Sequence, residues 1–242
     1  MPLVRQKYGS TKWNIDMWKR GIYIYFFFMV AVELPAQRPH TGVWLGFQQH
    51  IKLSSKWEWH NDEGYRTQDH SLQAQQFFYR TGIRYRLDQH LQAASGMALF
   101  FHRVSLSPSS KEFGFEKRIW QELEDKIFIG NAFQWTHRMR LEERFFSTVD
   151  KLPADVAFRL RYRTALLWPW GLRWEIQVID EWMLQNKRGR PMMFDQNRLS
   201  GSLGYRFSST SQLLVGYIGI RRPASIQHIA SIVFQKNFSF IQ

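Results

Sequence analysis

A hydrophobic alternation with a period of two recurs along most of this chain and constrains its fold more than any other feature. In residues 77–87 every second side chain is Phe, Tyr, Thr, Ile or Leu, and most of those between them are Arg. The same division recurs in residues 156–168 and 172–182. Because successive residues of a strand point to opposite faces of a sheet, the alternation predicts β-strands with one apolar and one cationic face.

Eleven segments show the alternation, and together they cover most of the chain after residue 41. They are residues 42–53, 57–65, 77–87, 91–102, 115–129, 132–146, 156–168, 172–182, 198–207, 213–221 and 228–240. Short polar turns at 54–55, 88–90, 130–131, 169–171 and 208–211 alternate with longer polar segments at 61–71, 105–112, 147–155 and 186–196. A sheet that spans a membrane must close, because lipid offers no partner to the backbone groups of a free edge.

The sequence therefore predicts an all-β fold, a single antiparallel up-and-down transmembrane β-barrel of about 10–12 strands. Short turns are expected on one rim and long loops on the other, as in bacterial outer-membrane barrels. Single-chain barrels of that kind have an even number of strands. The eleven candidates therefore imply that one strand has been missed or added, and the hairpin at residues 41–66 is the expected place.

Aromatic residues on the apolar face favour the membrane over water. They are Trp44, Trp57, Tyr85, Trp135, Trp168, Trp174, Trp182 and Tyr205, and they lie towards strand ends. Such positions suit the aromatic girdles of a barrel at the two membrane interfaces. A soluble exported barrel or sandwich is the alternative, because soluble sheets also alternate.

The first 36 residues resemble a cleavable secretory signal peptide. Residues 21–32 (GIYIYFFFMVAV) are uncharged, follow Lys19 and Arg20, and precede Ala36. This run is shorter than the roughly 20 residues of a membrane-spanning helix. We expect translation to begin at Met17, residues 1–36 to be removed, and residues 37–242 to form the barrel in the outer membrane of a Gram-negative bacterium.

The composition limits the classes of partner that the chain can bind. The formal net charge is +13 and there is no cysteine, so no disulfide scaffold is present. A basic chain can bind nucleic acid, but an exported one does not meet it. The expected partner is therefore outer-membrane lipid, together with an anionic ligand or a partner protein that the sequence does not identify.

Five segments carry a family resemblance: residues 41–46 (TGVWLG), 80–85 (RTGIRY), 138–145 (RMRLEERF), 158–163 (FRLRYR) and 194–199 (FDQNRL). In their order and spacing they resemble the domain-of-unknown-function 2490 family of Gram-negative exported proteins. The aromatic end of the chain, with Phe234, Phe238 and Phe240, is also similar to the C-terminal insertion signal of outer-membrane barrels. The family resemblance implies an outer-membrane barrel and supplies no activity, so no catalytic residue is assigned from it.

The polar parity of the strands predicts a charged network that faces the lumen. Its members are Arg80, Arg84, Arg86, Arg118, Glu122, Arg138, Arg140, Glu142, Arg144, Arg159, Arg161, Arg163, Arg173, Glu175, Glu181, Arg198 and Arg206, and Glu116 and Glu124 share their parity. Arginine stays ionised when crowded and binds carboxylates through two nitrogens, so such rows can cross-link a lumen. His137 and Glu143 fall on the apolar parity instead, which predicts a bulge or a register change in their strand.

Three functions follow from this interior. The favoured one is a non-enzymatic barrel that is structural or binds a partner or ligand. The excess of Arg makes a narrow anion-preferring channel an alternative. A hydrolase is the third, with His60 beside Asp62, Asp69 beside His70, and His102 near Ser105 and Ser107 as candidates. No nucleophile elbow, metal-binding motif or phosphate loop is present, so no catalytic residue, cofactor or metal is assigned.

Overall fold

The computed structural model describes residues 40–67, 73–104, 112–130, 133–147, 154–186 and 190–240. These residues form eleven strands: β1 (His40–Lys52), β2 (Trp57–Thr67), β3 (Ala74–Arg86), β4 (Leu91–Arg103), β5 (Phe113–Ile129), β6 (Phe133–Phe146), β7 (Asp155–Trp170), β8 (Trp174–Gln185), β9 (Met193–Ser208), β10 (Ser211–Arg222) and β11 (Ser225–Ser239). The predicted all-β fold is therefore confirmed. Among the residues described, none forms a helix able to cross a bilayer. The signal peptide predicted at residues 1–36 and the start at Met17 lie outside the described residues.

The strands form one closed barrel in which neighbours along the chain pair antiparallel. The exception is the closing pair, because β1 and β11 run parallel, from His40 opposite Gln227 to Lys52 opposite Ser239. The expected even number of strands is wrong for the part of the chain described. An odd number makes the first and last strands point the same way, and a parallel ladder still satisfies both edges. The hairpin of β1 and β2 is intact.

Several strand limits differ from the sequence expectation. β2 continues to Thr67, so residues 61–67 are strand and not loop. β9 begins at Met193 rather than at residue 198, and β8 begins at Trp174, which leaves Arg173 in the preceding turn. Polar side chains that point into the barrel continue the alternation without raising the local hydrophobicity. These strand ends therefore resemble loops in the sequence.

Trp44 lies on the inner face of β1 and not on the outer face predicted for it, because it lines the two interior cavities described below. The next residue, Leu45, is exposed. Both faces of β1 carry apolar or small residues, so its hydrophobic pattern does not distinguish inside from outside. The bulge expected at His137 and Glu143 is also absent: β6 pairs with β5 and β7 without a register shift. Both side chains therefore belong to the outer face.

A small apolar core lies inside the barrel beside β3, β4 and β5. It consists of Ala94, Ala98, Phe100 and Trp120, with Phe78 packed against it. The Trp120 ring occupies the space above Gly82 and Gly96, where a Cβ on either glycine would overlap it. Gly82 of β3 and Gly96 of β4 therefore leave room for Trp120, the largest fully buried side chain among the described residues.

The turn between β3 and β4 is fixed by one carboxylate. Asp88 Oδ1 accepts backbone N–H bonds from His90 at 2.7 Å and from Leu91 at 2.8 Å. These bonds favour the charged carboxylate and lower the pKa of Asp88. The turn therefore sets the register of the hairpin without glycine.

Candidate functional site in the barrel interior

The centre of the interior is held by a carboxylate from β6. Glu142 Oε1 lies 2.5 Å from Arg161 Nη1, and its Oε2 lies 3.3 Å from Arg118 Nη1. Arg161 Nη2 lies 2.8 Å from Glu181 Oε1. These four residues come from β5, β6, β7 and β8, so each ion pair joins different strands across the inner face.

The connected ion pairs continue towards β2. Glu122 lies 2.5 Å from Arg140 and 3.7 Å from Arg138, and Arg138 lies 2.8 Å from Glu181. Arg84 of β3 links Glu122 at 3.7 Å to Glu58 at 2.6 Å. The sequence pattern placed Glu122, Arg84, Arg138 and Arg140 on the inner parity, and the structure brings them together.

A third group extends the connections towards β9. Glu116 lies 2.5 Å from both Arg118 and Arg144. Gln185 accepts hydrogen bonds from Arg144 and from Arg159, the latter at 2.7 Å, and Arg159 lies 2.9 Å from Asp195. We call this connected set the charged network. It comprises Glu58, Arg84, Glu116, Arg118, Glu122, Arg138, Arg140, Glu142, Arg144, Arg159, Arg161, Glu181, Gln185 and Asp195.

The register explains why carboxylates separate the guanidinium groups. Arg118 lies directly opposite Arg144, and Arg140 lies directly opposite Arg161. Like charges directly opposite each other destabilise a sheet. Glu116 offsets this repulsion for the first pair by contacting both guanidinium groups. Since these charges are removed from water, each depends on its partners more strongly than a surface ion does.

Aromatic rings supply a second kind of support. The Arg118 guanidinium lies 3.6 Å from the Phe100 ring centroid, and that of Arg140 lies 4.6 Å from Trp120. Arginine stacks favourably on aromatic faces, and the contact is stronger away from water. The small apolar core therefore packs directly against the charged network.

Other residues predicted for the lumen lie outside these connections. Arg80 pairs with Asp62 at 2.7 Å, and Arg206 pairs with Glu175 at 2.8 Å. Arg163 lines a cavity. Arg86 is exposed. Arg173 is also exposed, in the turn before β8, where it donates to Tyr205 Oη at 3.2 Å. Arg86 and Arg173 therefore take no part in the charged network.

Two cavities occupy the space that these side chains leave. One has a volume of about 460 Å³ and the other about 480 Å³. Both are lined by Trp44, Arg66, Arg80, Arg161 and Arg198. We call these five shared residues the septum, because they lie between the two cavities. The Arg66 guanidinium lies 4.0 Å from the Trp44 ring centroid and that of Arg198 lies 5.0 Å from it.

Several interior residues are absent from the lumen-facing set that the sequence predicts. Glu58 and Asp62 share the inner parity of β2 with His60, and the alternation with Trp57 and Trp59 is a signal that could have found them. Arg66 and Asp195 lie in segments for which the sequence predicts loops. Their sequence positions beyond the predicted strand ends gave no such signal.

The hydrolase candidates do not form a site among the described residues. His60 is buried inside the barrel, with its ring centroid 5.3 Å from that of Trp120, while the neighbouring Asp62 pairs with Arg80. His102 lines the larger cavity. The other four candidates, Asp69, His70, Ser105 and Ser107, lie outside the described residues. Within the described ranges, no three His, Cys, Asp or Glu side chains are grouped so that they could hold a metal ion.

A family model described as "Protein of unknown function (DUF2490)" matches residues 41–225. The chain belongs to the DUF2490 family. The match to the DUF2490 model spans β1 to β10 and ends at Ser225, the first residue of β11. The resemblance inferred from the sequence segments is therefore confirmed. A search of curated proteins found no significant match.

Proposed function

We propose that this DUF2490 member is a non-enzymatic β-barrel of the Gram-negative outer membrane, exported by a cleavable signal peptide at residues 1–36. Its charged network cross-links the interior, and its role is structural or the binding of a ligand or partner. The observation that carries the proposal is an inverted distribution of side chains: large apolar residues are exposed on the outer face, while Arg and Glu are buried inside.

The outer face supports a lipid environment. Met97 is 60% exposed, Met139 52% and Leu199 52%, and they lie within β4, β6 and β9. A soluble protein rarely exposes a contiguous apolar surface larger than a few hundred Å². In the part of the chain that the structure describes, no second layer covers this face. Hydrocarbon tails would cover it completely.

Aromatic pairs near both ends of the strands support two membrane interfaces. Near one end, the ring centroids of Trp57 and Tyr85 are 4.6 Å apart, and those of Trp174 and Tyr205 are 4.7 Å apart. Near the other end, Phe101 and Phe115 are 5.0 Å apart and Tyr65 and Phe77 are 5.1 Å apart. Aromatic girdles of this kind flank the apolar band of outer-membrane barrels.

The lengths of the connections between strands support one orientation of the barrel in the membrane. Successive connections of an antiparallel barrel lie at opposite rims. Those on one rim span residues 53–56, 87–90, 130–132, 171–173 and 209–210, and those on the other span 68–73, 104–112, 147–154, 186–192 and 223–224. All but the last of the second group are longer than those of the first group, and we place that second rim outside the cell.

Location is tested by fractionation and by gel mobility. The protein is expected in the outer-membrane fraction, and the unboiled sample should migrate differently from the boiled one, because a closed barrel resists unfolding by detergent. The precursor should lack a peptide from residues 1–16. Recovery in the periplasmic fluid, with no change of mobility on boiling, would contradict the proposal.

A charged substitution on the outer face gives a sharper test. Met97→Arg is expected to lower the free energy of unfolding in lipid vesicles by about 2–4 kcal/mol, the cost of Arg on the lipid face near the midplane. Leu172→Arg is the matched control, because Leu172 is 96% exposed in a turn. Its stability should stay within about 0.5 kcal/mol of wild type. Equal stability of the two variants would show that Met97 does not face lipid.

The anion-preferring channel is the second candidate, and the two arginine-lined cavities favour it. The septum interrupts the path between the two cavities. We therefore expect the wild-type protein to show no steady conductance.

A further inference from the structure

The 480 Å³ cavity carries more positive charge than its neighbours neutralise. It is lined by Arg66, Arg80, Arg118, Arg144, Arg159, Arg161, Arg198 and Arg222, and Asp195 is the one carboxylate residue among its described lining residues. Five of these arginines already have carboxylate partners, as set out above. The other three are Arg66, Arg198 and Arg222.

Among the residues described, these three arginines form no ion pair with a carboxylate. Arg66 Nη1 donates to Gln76 Oε1 at 2.6 Å, and Arg222 Nε donates to Gln196 Oε1 at 3.1 Å. Among the described residues, neither Arg198 Nε nor Arg80 Nε, both in this lining, has a hydrogen-bond partner, and both atoms are buried. A buried donor without a partner is costly, so these atoms leave hydrogen-bonding capacity for a ligand.

The three groups also lie near one another. Arg66 and Arg198 both contact the Trp44 ring, and Arg222 lines the same cavity as these two. Three guanidinium groups in a partly desolvated cavity repel one another. The nearby carboxylates Asp62, Glu181 and Asp195 are already paired with Arg80, Arg161 and Arg159, so they offset this repulsion only in part. A doubly charged oxyanion neutralises more of this charge than a single carboxylate does.

The shape and place of the cavity fit a phosphorylated molecule. Arginine binds phosphate oxygens through two parallel N–H bonds. A volume of about 480 Å³ lies in the range of small-molecule pockets and exceeds what a bare phosphate ion fills. Its lining includes Thr67, His102 and Gln185. These lie at or near the ends of β2, β4 and β8 on the rim with the longer connections.

We propose that Arg66, Arg198 and Arg222 bind the phosphate group of a phosphorylated ligand in this cavity. The inference rests on the proposed ligand-binding role of the barrel and names the class of ligand. The phosphate could belong to a soluble molecule or to a lipid headgroup, because both present the same oxygens to the three guanidinium groups.

The test is titration calorimetry of the protein purified from membranes in a neutral detergent and a chloride buffer. Chloride screens general attraction of anions. Inorganic phosphate is the soluble probe, and mixed micelles with phosphatidic acid are the lipid probe. Micelles with diacylglycerol, which has the same chains and no phosphate, are the control. Saturable binding of either phosphate probe supports the proposal, and the probe that binds identifies the source.

Arg198→Gln and Arg222→Gln are each expected to weaken that binding about tenfold or more, the effect of losing hydrogen bonds to a charged group. Arg86→Gln removes the same charge from an exposed position outside the cavity and should bind as wild type does. Arg222 is the second variant because it is the last residue of β10, where a substitution disturbs the sheet less than at Arg198 within β9. Unboiled gel mobility shows that each variant is folded.

Two results would overturn the inference: no binding of either phosphate probe by folded wild type, or binding that Arg198→Gln and Arg222→Gln leave unchanged. These results are separate from a failure of the proposed location. A protein of the outer-membrane fraction that binds no phosphate overturns the site alone. A protein that binds phosphate in detergent but is absent from that fraction overturns the location alone.

Discussion

Changing Glu142 to glutamine is expected to lower the free energy of unfolding by about 3–5 kcal/mol, the usual cost of removing one partner from a buried ion pair. Glu142 is 2% exposed and contacts Arg161 at 2.5 Å and Arg118 at 3.3 Å. Glutamine keeps the shape of the side chain and removes its charge. The two arginines would then lose a shared counter-charge in a region from which water is largely excluded. Urea unfolding in vesicles, followed by tryptophan fluorescence and unboiled gel mobility, measures the change.

Glu143→Gln is the matched control for this experiment. The two glutamates are adjacent in β6 and face opposite sides of the sheet, and among the described residues Glu143 forms no ion pair. Its change should leave stability within about 0.5 kcal/mol of wild type or raise it slightly. A Glu142→Gln protein as stable as the Glu143→Gln protein would contradict the assignment of the charged network as the main support of the interior.

A double substitution tests whether Glu142 and Arg161 stabilise the barrel together. Arg161→Met alone should also destabilise the barrel, since it strands Glu142 and Glu181. The combination of Glu142→Gln with Arg161→Met should cost less than the sum of the two single changes, because each removes the partner that the other leaves unpaired. A strictly additive result would mean that the two side chains act independently.

The strands could be predicted from the sequence because each has a polar inner face and an apolar outer face. Polar and apolar residues therefore alternate along each strand. For the same reason the inner parity of Arg118, Glu142 and Arg161 could be predicted from the sequence. The partner of each could not, because contacts depend on the register between strands. Arg118 lies opposite Arg144 in the sheet and still pairs with Glu116 and Glu142.

The septum contains residues whose inward position could not be predicted from the sequence pattern. Trp44 is apolar and was predicted to face lipid, but on β1 its inward neighbours are Gly42 and Gly46, so both faces of that strand lack charge. Arg66 follows an acidic, polar stretch that resembles a loop. Trp44 lies directly opposite Arg66 in the hairpin of β1 and β2, and closure of the barrel brings Arg198 of β9 to the same ring. The contact with Arg198 joins residues that are far apart in the sequence.

Replacing Trp44 with alanine is expected to turn a closed barrel into a conducting one. The Trp44 ring is the aromatic part of the septum, and its nearest inward neighbours on β1, Gly42 and Gly46, have no side chain to take its place. Its removal would join two cavities of about 460 and 480 Å³. In a planar bilayer, wild type should show no steady conductance and Trp44→Ala should show a stable one.

The current through the Trp44→Ala protein should be carried mainly by anions, because Arg66 and Arg198 remain between the two cavities. The reversal potential in a salt gradient measures this preference. Phe47→Ala is the control, since Phe47 stacks on Phe234 on the outer face of the same strand and its loss opens no path inside. A Trp44→Ala protein as silent as wild type would show that the charged network closes the barrel without the ring, and steady conductance in wild type would show that the septum does not close it.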